Sequence, residues 1–502
     1  MLGISQRDIV GSTAVEPAPS ASTKQQFAGP PRPVPPHTSP VVFSGVVRLS
    51  ELAIVALAGL ATLAPDLARG ETWLQIAVPP VVAVAYILLG EAMRIYSVAL
   101  IRTRAHQLLR LVALGSLVAW VLLSLFRAGG IDGADNHAWL QRWALTAGCG
   151  VLMLRLAAHL VAVHWTATGR IARRTAIVGG GASGEELIRQ LEAHAAGDVE
   201  VCGVFDDRRD ERSPDMVAGH AKLGTVDDLV AFARRNRVDL VIFTMPITAE
   251  ARILQMLKKL WVLPIDVRLA AHANRLKFRP RSYSYLGKVP VLDVLDKPIA
   301  DWDVVLKWLF DRVVGVLALV ALSPVMVAAA VAIKLDSRGP VLFRQKRYGF
   351  NNELIEVFKF RSMYVDQCDA TASKLVTKGD PRVTRVGRFI RKTSIDELPQ
   401  LFNVVLKGDL SLVGPRPHAI HAKAVNRLYD EVVDGYFARH RVKPGITGWA
   451  QVNGWRGETD TEEKIQKRVA YDLDYIENWS VFFDAWILIK TPISLLRSEN
   501  AY

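Results

Sequence analysis

Residues 379–417 read GDPRVTRVGRFIRKTSIDELPQLFNVVLKGDLSLVGPRP, and many cations surround the adjacent acids Asp396 and Glu397. Such crowding of opposite charge is typical of a site for an anionic substrate and a metal rather than of a core. The alternative is a solvated helix face with ion pairs. The rigid Val413-Gly414-Pro415-Arg416-Pro417 turn argues against it, because it would aim Arg416. The cations that we single out are Arg382, Arg385, Arg388, Arg391, Lys392 and Arg416. This stretch therefore predicts a phosphate-chemistry site.

The acid pair predicts two separate roles for its carboxylates. Neighbouring carboxylates raise one another's pKa unless a cation lies between them. Mg²⁺ is the natural cation, because it prefers hard oxygen ligands and keeps substrate phosphates in its shell. One carboxylate can then hold the metal while the other attacks phosphorus, as carboxylates do when they form acyl phosphates. The arginines would neutralise charge on the transferred phosphoryl group.

Three ordered motifs resemble the bacterial sugar transferases that act on polyprenyl phosphate, the monotopic-type phosphoglycosyl transferases. The motifs are RKTSIDELPQLFNVVLKGDLSLVGPRP, KFRSM at 359–363 and VKPGITGWAQVNG at 442–454. The resemblance covers about residues 298–502. It implies that Asp396 is the nucleophile and that Glu397 helps to bind Mg²⁺.

The resemblance also implies a reaction and a location. Hexose 1-phosphate would pass from a UDP-sugar to undecaprenyl phosphate through a covalent aspartyl-phosphosugar, which would initiate synthesis of an exopolysaccharide or capsule. The segment from Trp479 to Tyr502 is similar to the glucose-transferring branch, so UDP-glucose is the expected donor and galactose 1-phosphate the alternative. The enzyme would lie in the bacterial inner membrane, with its catalytic domain on the cytoplasmic face. Whether it forms a homodimer is left open.

Further site residues are predicted from cations and amides near these motifs. Lys359 and Arg361 would lie on one side of an extended segment and bind phosphate, with surface solvation as the alternative. Gln451 and Asn453, beside Trp449, could hold the nucleobase, although Trp449 could instead anchor at the membrane interface. The predicted phosphate-binding residues are Lys359, Arg361, Arg382, Arg391 and Arg416.

Composition indicates a membrane protein. The chain of 502 residues is 50% hydrophobic and carries a net charge of +13, which fits either nucleic acid or an anionic membrane face. Apolar spans accompany the charge, whereas no helix-turn-helix or zinc pattern does, so membrane lipids and not nucleic acid are the expected partners. The three cysteines are far apart and predict no disulfide framework.

An N-terminal four-helix transmembrane domain is predicted at 45–168, after a disordered cytoplasmic tail at 1–44. Arginines around the second connection and after the fourth span place both termini in the cytoplasm by the positive-inside rule. In the fourth span, Arg155 and His159 share a helical face. This could mark an intramembrane site, or a structural pairing such as one with Glu91. The four apolar stretches are Val46–Ala64, Trp73–Leu89, Leu108–Phe126 and Leu145–Val163.

A Rossmann-like α/β domain is predicted at 173–297, where Gly179, Gly181 and Gly184 form G-x-G-x-x-G between a strand and a helix. These glycines could seat a dinucleotide, or the domain could be a scaffold that binds nothing. The domain raises two rival functions. A membrane-bound NAD-dependent nucleotide-sugar dehydratase would need Tyr-x-x-x-Lys, which the sequence lacks. A non-enzymatic nucleotide-sensing membrane protein would leave the charged cluster after Lys359 unexplained.

A fifth apolar stretch at 313–333 is long enough to span, but a crossing would put the acid pair outside, away from nucleotide-sugars. Ser323 and Pro324 lie at its middle, where proline removes a hydrogen bond. The resemblance assigns this pair to a re-entrant membrane helix, expected at 309–334, and a kinked spanning helix is the alternative. The predicted fold is thus a membrane α-helical N-terminal bundle, an α/β Rossmann-like middle domain and a mixed, mainly α catalytic domain at 298–502 with a re-entrant membrane helix.

Overall fold

A computed structural model describes the chain at residues 38–63, 73–129, 133–194, 197–208, 213–271, 284–287, 289–365, 380–417, 423–424, 427–428, 436–455 and 461–497. Most of the predicted tail lies outside these residues, so its disorder stays a prediction. Two compact units divide the described chain. One contains Val34–Arg173 with Ala196–Glu200, and the other contains Arg174–Ala195 and Val201–Tyr502.

Long apolar helices make up the first unit. Its helices are α1 (Pro40–Leu63), α2 (Trp73–Ala92), α3 (Val98–Ile101), α4 (Arg104–Ala128) and α5 (Ala134–Ala167). All of these except α3 are long and apolar enough to cross a membrane, by length and composition. Three of the four predicted spans fall within these helices, and the first one ends at Ala64, one residue beyond Leu63 and outside the described residues. The first helix begins at Pro40, inside the predicted tail. Proline is tolerated there because the first helical N–H groups have no intrahelical acceptor.

Buried charges in this unit are paired. Glu51 and Arg155 are almost completely buried and form an ion pair, in which one Arg155 nitrogen lies 3.0 Å from Glu51 Oε2. Tyr96 also donates to Glu51 Oε2, at 2.8 Å. The suggested Arg155–Glu91 pairing is therefore wrong, since Glu91 instead pairs with Arg48. Pairing removes the cost of an isolated charge in hydrocarbon, so these residues have a structural explanation.

His159 is similarly satisfied in the fourth long helix. Its Nδ1 donates to the Ile101 carbonyl at 2.9 Å, and Nε2 accepts from Arg104 at 2.8 Å. Arg155 and His159 thus contact different partners rather than forming one site. Both side chains contact neighbouring helices and the connection between them, so their contacts stabilise helix packing.

A mixed eight-stranded sheet forms the α/β part of the second unit. Its strand order is β3-β4-β2-β1-β5-β6-β8-β7, with parallel pairing of β5 to β1 and β6 and antiparallel pairing of β8 to β6 and β7. The strands are β1 (Arg173–Val178), β2 (Val199–Phe205), β3 (Met216–Val217), β4 (His220–Gly224), β5 (Leu240–Phe243), β6 (Asp266–Ala270), β7 (Ser284–Leu286) and β8 (Val289–Leu295). Helices α6 (Ala182–His194), α7 (Val226–Arg235) and α8 (Glu250–Leu260) connect them.

Sequence and structure agree closely in this part. The strand predicted at VEVCGVF is β2, and the helix predicted at Val226–Arg235 is α7. A capping box fixes the start of α7, because Thr225 accepts from the Asp228 N–H and Asp228 accepts from the Thr225 N–H. The β5 strand is fully buried, as expected of a central parallel strand.

The fifth apolar helix, α9, runs without interruption from Asp301 to Asp336. Its 36 residues would extend about 54 Å if straight, well beyond the roughly 30 Å of hydrocarbon in a bilayer. Pro324 cannot donate to the Val320 carbonyl, four residues earlier. The Ser323 hydroxyl donates to that carbonyl at 2.8 Å instead. The helix therefore continues through the predicted break, and its re-entrant path stays a prediction.

The remaining elements surround the central acid pair. They are β9 (Leu342–Tyr348), β10 (Leu354–Phe360), α10 (Arg385–Lys392), α11 (Gln400–Phe402), the π-helix Asn403–Lys407, β11 (Ser411–Val413), β12 (Lys423–Ala424), β13 (Arg427–Leu428), the 3₁₀ helix Tyr436–Arg441, β14 (Gly445–Thr447), α12 (Trp449–Val452), α13 (Glu462–Glu477) and α14 (Val481–Arg497). Antiparallel β9 and β10 form a hairpin, and β11 pairs in parallel with β14. Val357, Leu401, Val404, Leu412 and Ile487 belong to the core that they share.

A buried polar network attaches α9 to this core. Lys307 on α9 contacts Asp484 on α14 at 2.6 Å and donates to the Val413 carbonyl at 2.9 Å. Asp311 accepts from the Leu412 N–H at 3.0 Å. Tyr475 donates to Asp484 at 2.8 Å. Because β11 ends at Val413, this network fixes the start of the VGPRP turn.

Candidate active site

Asp396 and Glu397 lie in a single 3₁₀ turn, Ile395–Glu397, between α10 and α11. Ser394 precedes it in the left-handed region with a φ of 60°, which is uncommon for a residue other than glycine. The Glu397 N–H donates to the Ser394 carbonyl at 3.1 Å, which closes the turn. Such a short turn places neighbouring side chains in different directions, so the two acids meet different partners.

Glu397 is the anchor of the cation cluster. Lys359 on β10 contacts its Oε1 at 2.9 Å, and Arg416 from the VGPRP turn forms an ion pair with the same oxygen. A second Arg416 nitrogen lies 3.4 Å from Oε2. Burial lowers the pKa of Lys359, and the Glu397 charge opposes that effect. The structure thus brings together three residues that the sequence predicted from two separate motifs, Lys359 from one and Glu397 and Arg416 from the other.

The surroundings of Asp396 differ from those of Glu397. Within the described part of the chain its carboxylate accepts no hydrogen bond and forms no ion pair. Burial raises its pKa above the ordinary value, the charge of Lys359 opposes this rise, and the adjacent Glu397 adds to it. A carboxylate without partners beside several cations has the freedom that a nucleophile requires.

Asn403 bonds the β10 backbone next to Lys359 and was missed by the sequence analysis. Its fully buried side chain accepts from the Phe358 N–H at 2.9 Å and donates to the Glu356 carbonyl at 2.6 Å. The amide therefore takes the place of a neighbouring strand on the free edge of β10, next to Lys359. A π-helix begins at Asn403, and such bulges often occur at functional sites. This signal comes from the structure and has no counterpart in the sequence pattern.

The VGPRP turn owes its position to β14. The Gly414 N–H donates to the Thr447 carbonyl at 2.9 Å. A Cβ at Gly414 would lie 2.5 Å from the Lys443 carbonyl oxygen, so only glycine fits this approach. The buried Arg439 also donates to the Arg416 carbonyl at 2.6 Å. These contacts direct the Arg416 side chain to Glu397.

Arg391 and Arg382 have unequal surroundings. The positive charge of Arg391 lowers the pKa of Asp396, and the described residues provide no hydrogen bond or ion pair for its side chain. Arg382 instead contacts Asp380 at 2.6 Å, and its hydrogen bonds lower the pKa of Asp380 to about 2. The Arg391 guanidinium is thus available to bind an anion, whereas the Arg382 guanidinium already pairs with the Asp380 carboxylate.

Arg361 has a structural partner that the sequence did not reveal. Its nearly buried guanidinium donates to the carbonyl oxygens of Ser337 at 2.8 Å and Arg338 at 2.6 Å, just after α9. It therefore fixes the end of α9, and only Lys359 of the predicted pair contacts the acid pair, through Glu397. Phosphate binding by Arg361 gains no support from these contacts.

Gln451 and Asn453 lie at α12, on the segment that follows β14. Gln451 is buried, and Asn453 donates to the Trp449 carbonyl at 2.8 Å. The Trp449 indole donates to Asp474 at 2.8 Å and packs on Phe483, with ring centroids 5.0 Å apart. Trp449 is thus partly buried and held by contacts with its own chain, while nucleobase binding by the two amides stays a prediction.

The acids fit a divalent cation only together with a substrate. Among the described residues no group of three or more metal-ligating side chains occurs. Mg²⁺ commonly uses one or two carboxylates and completes its shell with water and substrate phosphates. Asp396 has no hydrogen bond or ion pair in the described chain, and the contact of Glu397 Oε2 with Arg416 is a long one of 3.4 Å. The donor set is therefore compatible with Mg²⁺ held jointly with phosphate.

The glycine-rich turn of the α/β part is explained by packing. A Cβ at Gly179 would lie 2.3 Å from Thr244 Oγ1, and one at Gly184 would lie 2.3 Å from the Gly179 carbonyl oxygen. The Gly181 carbonyl accepts from the Gly184 N–H at 2.8 Å. The Gly180 N–H donates to the chain's own Asp206 at 2.8 Å. Nucleotide binding at these glycines stays a prediction.

Two family models match separate parts of the chain, and relatives match most of it. The family model for bacterial sugar transferases matches residues 302–498, and a model described as a CoA-binding domain matches 91–271. An undecaprenyl-phosphate glucose phosphotransferase of Komagataeibacter xylinus is 38% identical over 405 residues, which cover 80% of this chain and 73% of that protein.

Two further relatives carry the name UDP-glucose:undecaprenyl-phosphate glucose-1-phosphate transferase. The protein of Escherichia coli (strain K12) is 38% identical over 76% of this chain and 81% of its own length. The protein of Xanthomonas campestris pv. campestris is 35% identical over 91% of this chain and 94% of its own length. Similarity of this extent, together with the acid pair and its cations, means that the chain belongs to the bacterial sugar transferase family.

Proposed function

We propose that this protein transfers hexose 1-phosphate from a nucleoside-diphosphate sugar to undecaprenyl phosphate. The observation that carries the proposal is the contrast between Asp396, which has no partner in the described chain, and Glu397, which Lys359 and Arg416 hold in place. The names of the three relatives give UDP-glucose as the donor that we propose, with glucose 1-phosphate as the group transferred. Galactose 1-phosphate is the alternative, since few contacts distinguish the two hydroxyl configurations.

The proposed reaction has two displacements at phosphorus. A carboxylate oxygen of Asp396 attacks the β-phosphate, a new O–P bond forms, and the bond to the α-phosphate oxygen breaks. UMP leaves with that electron pair, and the sugar phosphate remains on Asp396. A phosphate oxygen of undecaprenyl phosphate then attacks the same phosphorus, which releases the Asp396 carboxylate. The product, a lipid-linked sugar diphosphate, would start an exported polysaccharide.

The cations assist both displacements by neutralising charge on the phosphoryl oxygens. Lys359 and Arg416 are held by Glu397, and Arg391 lies near Asp396 without a partner in the described chain. Asp396 must be ionised to attack, and the positive charges of Lys359 and Arg391 favour the ionised form against the effect of burial. Mg²⁺, when bound by Glu397 and the donor, would supply further charge neutralisation.

The location follows from the same reaction. UDP-sugars are cytoplasmic substrates, so we propose that the catalytic residues face the cytoplasm from the bacterial inner membrane, in contact with membrane lipids. A re-entrant α9 is consistent with this placement, because both ends of the helix then lie on one face. The rival functions are less well supported. The sequence lacks the Tyr-x-x-x-Lys pair that a dehydratase would need, and a non-enzymatic sensor does not explain the charged cluster. A homodimer stays a prediction.

One labelling experiment tests the reaction and the nucleophile. Purified full-length protein is incubated with UDP-glucose labelled in the sugar, with Mg²⁺ and without lipid acceptor. We expect label on the wild type together with released UMP, no label on Asp396→Asn, and transfer of the label when undecaprenyl phosphate is added. Label from UDP-galactose alone would keep the mechanism and replace the sugar. Turnover that persists in Asp396→Asn would remove Asp396 as the nucleophile.

A further inference from the structure

Arg347 on β9 lies beside the acid pair but belongs to none of the motifs from which the site was predicted. In the β9–β10 hairpin it lies opposite Ile355. Side chains alternate along a strand, so Arg347 shares a face with Gln345, whereas Arg344 is on the other face. Burial agrees with this alternation, since Gln345 is buried and Arg344 is exposed. Arg344 contacts the Phe358 ring at 5.6 Å.

The Arg347 guanidinium is held in a fixed orientation. Its Nε and one terminal nitrogen donate to Gln345 Oε1, at 3.1 and 2.8 Å. The other terminal nitrogen donates to the Pro417 carbonyl at the end of the VGPRP turn. An arginine has five N–H groups, so these three bonds leave two N–H groups that no described residue accepts. They remain for another acceptor.

Charge around Arg347 is unbalanced. Among the described residues no carboxylate forms an ion pair with Arg347. The nearby Glu397 carboxylate instead pairs with Lys359 and Arg416. Burial lowers the pKa of Arg347 to about 10, and the neighbouring Arg416 charge contributes. Lys359, Arg347, Arg391 and Arg416 lie near Asp396 and Glu397, and Arg391 also interacts with Asp380, which pairs with Arg382. Five described cations thus accompany three carboxylates. A mostly buried cation without an anion is unfavourable, and a bound phosphate would correct the imbalance.

We propose that Arg347 is a substrate-binding residue that donates its two free N–H groups to phosphate oxygens, with Gln345 as the positioning residue that holds its guanidinium. This inference rests on the proposed function, which supplies two sources of that phosphate. One is the nucleotide donor, and the other is the lipid acceptor. The fixed, planar guanidinium suits two oxygens of one phosphate, a geometry that lysine cannot reproduce.

The test measures binding to full-length protein rather than turnover. UMP serves as the probe for the nucleotide, and farnesyl phosphate serves as the probe for the lipid headgroup. Arg347→Met should weaken binding of one probe by about tenfold to a hundredfold. Arg347→Lys should restore part of the loss, because it keeps the charge but not the fork. Gln345→Met should give a smaller loss for the same probe. The matched control is Arg344→Met, which removes the same charge from the opposite face of β9 and should leave both affinities unchanged.

Each outcome has a distinct meaning. Weaker UMP binding identifies the nucleotide as the phosphate source, and weaker farnesyl phosphate binding identifies the lipid. If Arg347→Met lowers turnover while both affinities stay at the wild-type value, Arg347 only supports the Pro417 turn and the inference is overturned. An equal loss in Arg344→Met would also overturn it. The proposed function is judged separately, by sugar label on wild-type Asp396, so failure of one does not imply failure of the other.

Discussion

Adjacent carboxylates in one turn have different surroundings here because their neighbours differ. Glu397 accepts from Lys359 and Arg416, while Asp396 has no partner in the described residues. A hydrogen-bonded carboxylate is fixed and weakly nucleophilic, whereas a free one can approach an electrophile. The different roles that we propose for the two acids therefore follow from contacts made by β10 and the VGPRP turn, not from the acids themselves.

Glu397→Gln should lower turnover strongly while the chain still folds. The neutral amide removes the counter-charge of Lys359 and Arg416, and each lost charge-assisted bond is worth about 1.5 to 3 kcal/mol. We expect a decrease in kcat of about a hundredfold or more, together with a weaker dependence on Mg²⁺. Kinetics over a Mg²⁺ titration measures both effects.

The control for this change is Glu353→Gln, since Glu353 is an exposed acid in the same hairpin. It should behave as the wild type. An unchanged Mg²⁺ titration in Glu397→Gln would argue against Glu397 as a metal ligand, even if turnover falls.

Single residues of the site were only partly predictable. Asp396, Glu397 and Arg416 stand in one recognisable stretch, from which the sequence singled them out, and the structure brings Glu397 and Arg416 into contact. Arg347 and Asn403 were missed, because their importance depends on which residues lie across a hairpin or an open strand edge. Arg361 was assigned to phosphate from strand alternation, but β10 ends at Phe360 and the alternation does not continue through it.

At the scale of elements, β10 depends on a side chain for its free edge. Asn403→Ala would leave the Phe358 N–H and the Glu356 carbonyl without their partner. Each buried unsatisfied group costs about 1 to 3 kcal/mol, so we expect a loss of about 2 to 4 kcal/mol in unfolding free energy. Turnover should fall as well, because Lys359 is next to Phe358.

Denaturant unfolding and steady-state kinetics test the β10 prediction together. Asn403→Asp is the informative companion, because it keeps the acceptor for Phe358 but places a charge beside Asp409, which Asn403 contacts at 3.1 Å. It should be no more stable than Asn403→Ala. Wild-type stability in Asn403→Ala would show that the edge of β10 needs no partner.

The path of α9 is a second prediction at this scale. With Pro324 present, single cysteines introduced at the exposed positions Asp303 and Lys334 should both react with a cytoplasmic reagent. Pro324→Ala restores an N–H for the Val320 carbonyl and should straighten the helix, which moves part of the Lys334→Cys population to the other side. The background for these variants replaces Cys149, Cys202 and Cys368 by serine. Opposite-side labelling with Pro324 intact would mean that α9 spans.

Apolar length and composition predicted the long helices, but not their continuity. Proline at position 324 correctly indicated a missing hydrogen bond, while the Ser323 hydroxyl that replaces it left the helix unbroken in the backbone assignment. The sequence shows that Pro324 has no N–H to donate, but it does not show which neighbouring group donates to the Val320 carbonyl instead.

At the scale of the whole molecule, the α/β part and the catalytic part of the second unit contact each other. Asn351 in the β9–β10 turn donates to the Ala233 carbonyl on α7 at 3.4 Å. Arg234 on α7 lies over the Phe437 ring at 5.2 Å. Phe437 is close in sequence to Arg439, which supports the Arg416 carbonyl. Stability of the α/β part is therefore relevant to the site.

The lowered pKa of Asp206 predicts how the stability of the α/β part depends on pH. Burial raises the pKa of Asp206, but hydrogen bonds from Arg208 and the Gly180 N–H outweigh burial and lower the pKa to about 2. A lowered carboxyl pKa stabilises the fold above the unfolded value near 3.8, and the contribution disappears as pH falls toward 2. We estimate this contribution at about 1 to 2 kcal/mol at neutral pH.

Asp206→Asn should therefore lower the melting temperature of the full chain at pH 7, and the difference from wild type should shrink between pH 4 and pH 3. Asp215→Asn is the matched control, because Asp215 is exposed in the same region. A difference that stays constant over this pH range would assign the effect to packing instead of charge.

The buried Glu51–Arg155 pair has a consequence for how the protein is made. The two residues are 104 positions apart in the chain. A ribosome that adds about 5 to 20 residues per second needs about 5 to 20 s to travel from one to the other. During that time α1 has emerged with a carboxylate whose cation does not yet exist, and a charge in hydrocarbon costs about 2.5 to 3.5 kcal/mol on insertion scales. We expect α1 to stay at the translocon until α5 arrives, so that the first and last helices of this unit enter the lipid as a pair.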